Sequence, residues 1–232
     1  MYINKEIYTI RGLLFDKNKV PLFNKQNVIL IDKYVRENSS YASQNFISDY
    51  FKEHAGDTSL DSISIKIILI DATDSTNLLQ RHGKNFYNIM GKRIINAKIE
   101  EKIKIGEPIG KLFEDIAKTP KSNGDGYINE FVFLSKYITR TNQYSYDRDD
   151  YSIMDTVVRK NLYLLSTKEL EISNNMIDEI RNNYDFDGYC KLIKEIIKQP
   201  RFNGVTRRQF DHFIWFTFKE ENAEDARKLN AK

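Results

Sequence analysis

The chain has 232 residues and a mass of 27.4 kDa, enough for one large domain or two small ones that bury a core without disulfides or metals. Its 36 basic and 33 acidic residues leave a net charge of +3, too little to announce a nucleic-acid partner. With 41% hydrophobic and 30% charged residues, the composition is that of a globular protein and not of a broadly disordered one. The longest apolar run, Ile67-Ile68-Leu69-Ile70, is far too short to span a bilayer, and Cys190 as sole cysteine excludes intramolecular disulfides, zinc ribbons and four-cysteine clusters within the chain.

Ten glycines and four prolines argue against an all-β domain, which needs turn chemistry every few residues, so helices should dominate. Residues 1–40 read as a small N-terminal appendage in which Ile7 to Leu14 and Val28 to Ile31 suit short strands or edge segments. Residues 41–232 then form one mainly helical body. Ile63, Ile67 and Ile70 share a face of a helix near 60–73, which ends in the polar string Thr73-Asp74-Ser75-Thr76-Asn77. Phe86, Ile89, Met90, Ile94 and Ile95 mark a helix over 84–97, and Ile109, Leu112, Phe113 and Ile116 one over 109–117.

A dense turn signal, Thr119 to Gly126, precedes an apolar segment from Ile128 to Ile138 that reads as a buried helix. Tyr144 to Tyr151 suits a loop, and Ser152 or Asp155 should open the next helix, carrying Val157, Val158, Leu162 and Leu165. Helices are expected at 173–182 and 186–198. Pro200 and Gly204 then break the chain before a last helix from Thr206 to about Arg227. The first residues, Met1 to Glu6, lack the layout of a secretory signal, and with one cysteine this favours a reducing, cytoplasmic location.

The specific pattern is Phe133-Leu134-Ser135-Lys136-Tyr137 followed by Asp155-Thr156-Val157-Val158, with Lys136 and Asp155 19 positions apart. It resembles the helix-hairpin-helix DNA glycosylase superfamily, in particular its 8-oxoguanine glycosylase/AP-lyase branch, where a lysine precedes a helix-opening Asp in an Asp-Thr-x-Val motif. The resemblance in element order covers residues 60–230. It implies a multi-helix body, base excision through a lysine Schiff base without a cofactor or metal, and duplex DNA with a damaged or modified base as partner. Lys136 would be the nucleophile and Asp155 the carboxylate that stabilises the cationic sugar. The amine attacks only when neutral, a form that apolar neighbours such as Phe131, Val132, Phe133 and Leu134 favour and pairing with an ionised Asp155 opposes.

In that family glycines just before the lysine let backbone amides approach a DNA phosphate, whereas Val132-Phe133-Leu134-Ser135 stands there in this chain. Either Ser122, Gly124 and Gly126 form a displaced phosphate-facing turn, or the anchor is lost. The resemblance also suggests that Asn77, Arg81 and His82, at a polar helix end, contact DNA. Asp211, His212, Phe213, Trp215 and Phe216 on the last helix would hold an everted base, although Phe213 and Phe216 share a face that Trp215 does not.

Two other readings stay open. Glu100-Glu101-Lys102 contains the Glu-x-Lys fragment of metal nucleases, but in a stretch that reads as helix rather than strand. The same helical scaffold would also serve a DNA-binding or protein-interaction module without catalysis, with Lys136 as a phosphate contact or surface charge and Asp155 as a simple helix cap.

Overall fold

A computed structural model describes residues 5–38, 42–74, 76–120, 125–166 and 170–219. Within them are twelve α-helices and one two-stranded antiparallel ribbon, so the chain is mainly helical, as its composition requires. It divides into two compact units, one of residues 40–153 and one that joins residues 1–39 to 154–232.

The N-terminal segment belongs to the second of these units. After a 3-10 turn at Lys5–Thr9, helix α1 spans Lys25–Asn38 and contains the Val28 to Ile31 segment expected as a strand. The β-branched run suggests a strand locally. Val28, Ile31 and Val35 nevertheless recur at helical spacing and are all buried, so packing of that face overrides the propensity. The buried Asn27 side chain hydrogen-bonds the Leu14 amide and carbonyl and the Leu22 carbonyl, pinning the preceding loop to the start of α1.

The unit of residues 40–153 contains α2 (Ala42–Glu53), α3 (Leu60–Thr73), α4 (Leu78–His82), α5 (Phe86–Asn96), α6 (Ile99–Ile105) and α7 (Gly110–Ala117). Strands β1 (Lys118–Pro120) and β2 (Tyr127–Asn129) then lead into α8 (Phe131–Tyr146). The Ser59 hydroxyl caps α3 by accepting from the Ser62 amide. Helices α3 and α5 approach closely at Gly91, where a Cβ would lie 3.0 Å from Leu60 and 3.2 Å from Ser64. Helix α8 is the axis of this unit. It packs against α2, α3, α6 and α7 and buries side chains from Phe131 to Tyr144.

The other unit continues with α9 (Thr156–Lys160), α10 (Asn174–Asn183), α11 (Phe186–Ile197) and α12 (Arg207–Phe218). The helix expected through Val157 to Leu165 is split, because Asn161 ends α9 and Leu162–Leu165 form a 3-10 turn. Asn161 Nδ2 bonds the carbonyls of Val157 and Phe218, tying the break to the end of α12. Side-chain caps at Ser173 and Asp185 start α10 and α11 near the expected places. A reciprocal Thr206–Gln209 capping box starts α12. Helix α12 lies on α1, with Phe213 edge-on to Phe23 at 5.4 Å and Phe216 against Tyr34 at 5.3 Å. No helix among the described residues is long and apolar enough to cross a membrane.

Candidate functional site

Lys136 sits in the middle of α8 and is partly buried. Its Nζ donates to the backbone carbonyl of Asp74, the residue that ends α3, at 2.5 Å. One turn further along, Arg140 Nε donates to the Asp74 carboxylate at 3.2 Å. Residues four apart share a helix face, and the last carbonyls of a helix need donors, which cations supply favourably. Locally, therefore, Lys136 and Arg140 fasten α8 to the C-terminal end of α3.

The polar segment after α3 is organised by two carboxylates. Asp71 accepts hydrogen bonds from the Thr76 and Tyr87 hydroxyls and from the amides of Leu78 and Leu79. Burial alone would raise its pKa, but these donors outweigh that and hold it below the usual range. The Tyr87 phenol is pushed up to about 12 by burial and then by Asp71.

Glu130, 1% exposed at the start of α8, takes Arg81 on one oxygen at 2.7 Å and His82 Nε2 on the other at 2.6 Å. The His82 ring stacks on Phe86, and Arg81 also donates to the Thr76 carbonyl. Asn77 is exposed, with φ +56° at the entry to α4. Of the three residues expected to contact DNA here, Arg81 and His82 are thus engaged inside their own unit by one buried carboxylate.

Between α7 and α8 the chain forms the β1–β2 ribbon, whose strands flank the expected turn and place Ile128, expected in the buried helix, in β2 instead. Ser122 and Gly124 lie outside the described residues. Gly126 is exposed at φ +90°, a backbone conformation that favours glycine, with open space where a side chain would go.

A buried ionic cluster was not anticipated. Lys66, entirely buried, lies 3.1 Å from Glu100, which also accepts from the Tyr137 hydroxyl at 2.5 Å. The Lys66 ammonium lies over the Phe51 ring at 5.7 Å. Burial, and then Glu100, pushes Tyr137 well above the usual tyrosine range and Tyr146 up to about 12. The available signal was the position of Lys66 on the apolar face of Ile63, Ile67 and Ile70. The Glu-x-Lys fragment comes apart here, because Glu100 faces inward while Lys102 pairs with Glu107 at 3.0 Å. Among the described residues no group of three or more His, Cys, Asp or Glu side chains is placed to hold a metal ion.

Asp155 belongs to the other unit. Its extended backbone and its carboxylate, which accepts from the Val158 amide at 2.9 Å, make it the N-cap of α9. In the same unit the phenol of the fully buried Tyr189 is pushed well above its usual range by burial and then by Asp211, Cys190 and Asp155, with Arg207 opposing. Arg207 itself donates to the Cys190 carbonyl at 2.7 Å. The two buried acids Asp155 and Asp211 therefore both act electrostatically on the same phenol.

The other residues expected around an everted base diverge. His212 Nδ1 pairs with Asp32 on α1 at 2.7 Å, and Phe213 and Phe216 are buried between α1 and α12. Trp215 is about one-third exposed, with the Lys219 ammonium 5.6 Å from its ring. Successive helix positions turn by about 100°, so one short run reaches several surroundings.

The chain belongs to the HI_0787_N family, whose model, described as an N-terminal domain, matches residues 26–145. No curated protein and no solved structure matches the chain. The family match includes Lys136 and the Lys66–Glu100 pair and stops short of Asp155.

Proposed function

We propose that the chain is a lysine-dependent DNA glycosylase with AP-lyase activity, acting on duplex DNA that contains a damaged or modified base. The observation that carries this reading is that Asp155 opens a helix through a side-chain cap, 19 residues after a lysine embedded in α8, in an Asp-Thr-Val-Val context. In the reaction, the Lys136 amine attacks the anomeric carbon as the bond to the base breaks. The base leaves with the bonding electrons and takes up a proton. The positive charge developing on the sugar is stabilised by the Asp155 carboxylate; the attached amine gives up its protons as the C1′–O4′ bond opens and O4′ is protonated, and the Schiff base so formed lets a C2′ proton and then the 3′ phosphate depart by elimination. No metal is required.

Borohydride trapping across a panel of modified-base duplexes tests the proposal. A covalent complex is expected with at least one duplex, unaffected by chelator, and lost in Lys136→Gln at unchanged helical content. Trapping that survives in Lys136→Gln removes Lys136 from the mechanism.

A second reading, a DNA-binding module without excision, is favoured by the Lys136 bond to the Asp74 carbonyl and by the commitment of Arg81 and His82 to Glu130. Duplex binding without trapping on any member of the panel would establish it.

A further inference from the structure

In the β1–β2 ribbon, Lys118 pairs with Asn129, Thr119 with Ile128 and Pro120 with Tyr127. Directly opposed residues of an antiparallel pair point to the same face. Thr119 and Ile128 therefore occupy the inward face, where Thr119 is buried, and Lys118, Pro120, Tyr127 and Asn129 the outward one, where all four are exposed. Tyr127 is 66% exposed. Its cross-strand neighbour is a proline, whose ring makes a stiff apolar shelf beside it.

The root of the ribbon is fastened. Arg93 NH1 donates to the carbonyls of Ile116 and Lys118 and to the Thr119 hydroxyl, and the Glu130 amide donates to the Ala117 carbonyl. Gly126, next to Tyr127, leaves open space where a backbone can approach. An exposed aromatic on a fixed two-stranded support has the chemistry that binds a nucleobase by its π-face.

We infer that the outward face of this ribbon is a DNA contact surface on which Tyr127 stacks against an unpaired base. The inference deepens the DNA reading above and takes its partner from it, but it does not depend on excision. Binding of fluorescent oligonucleotides that are single-stranded, or duplex with one bulged base, is compared with binding of a fully paired duplex. Tyr127→Ala is expected to weaken binding of the unpaired-base probes about tenfold, with a smaller effect on the paired duplex, and Tyr127→Phe to restore it. Tyr127→Trp in a Trp215→Phe background should show fluorescence quenching when the single strand is added.

Equal affinity of Tyr127→Ala and the natural chain, an equal loss on all probes, or an unquenched tryptophan overturns the inference. Absence of DNA binding by the natural chain overturns it together with the functional reading. Tyr127-dependent binding without borohydride trapping sinks excision alone, whereas trapping with Tyr127-independent binding sinks the ribbon surface alone.

Discussion

Lys66 Nζ lies 3.1 Å from Glu100 Oε1, and the two side chains are 0% and 2% exposed, joining α3 to α6 inside one unit. Removing one partner of such a pair strands a charge away from water and costs about 3–5 kcal/mol, while a hydrophobic replacement of both is often neutral. Lys66→Met and Glu100→Gln should each lower the denaturation midpoint sharply, and Lys66→Met combined with Glu100→Leu should recover much of the loss. Urea unfolding of the three variants measures this. Additive losses in the double variant would show that the two groups do not act as a pair.

Asp155 can be tested as a cap and as a reactant separately. Asparagine caps a helix about as well as aspartate, so Asp155→Asn should leave stability nearly unchanged, whereas Asp155→Ala should cost about 0.5–2 kcal/mol. If the carboxylate stabilises a cationic sugar, excision by Asp155→Asn should fall by roughly two orders of magnitude or more. Unchanged turnover would leave Asp155 as a helix cap only.

The His212–Asp32–Arg36 chain predicts an acid limb. Burial would raise the Asp32 pKa, but the hydrogen bond and charge of His212, followed by Arg36, hold it below the ordinary 3.8. A carboxylate whose pKa is lower folded than unfolded stabilises the fold above its unfolded value and ceases to do so as pH falls through the folded one. Stability of the natural chain should therefore drop below about pH 4, and Asp32→Asn should flatten that drop. Parallel acid limbs in the two proteins would exclude this contribution.

Tyr87 gives the opposite signature. Its phenol is raised to about 12 by burial and by Asp71, so its contribution to stability is complete below its unfolded value of 10.0 and is lost as pH rises through 12. Absorbance titration should show Tyr87 ionising in a late class, which loses one member in Tyr87→Phe. A profile identical in the two proteins would contradict the Tyr87–Asp71 bond.

Much of the helical framework was legible because its signals are local. Ile63, Ile67 and Ile70 mark the buried face of α3. Ser173 and Asp185 cap α10 and α11, and Pro200 with Gly204 separates α11 from α12. The Val28 to Ile31 run misled because it carries strand propensity inside a helical spacing. The β1–β2 ribbon was illegible because its three-residue strands are too short to show alternation, and Ile128, expected in a helix, lies in β2.

The candidate site divides along the same line. The sequence by itself determined that Asp155 could open a helix and that Lys136 lies in an apolar one, since capping and periodicity involve residues a few positions apart. Only tertiary structure decided that Lys136 meets the Asp74 carbonyl, that Lys66 is buried against Glu100, and that His212 finds Asp32 across 180 positions of chain. Such charge pairs depend on which helix faces meet in the folded core, and no local repeat in the chain records that.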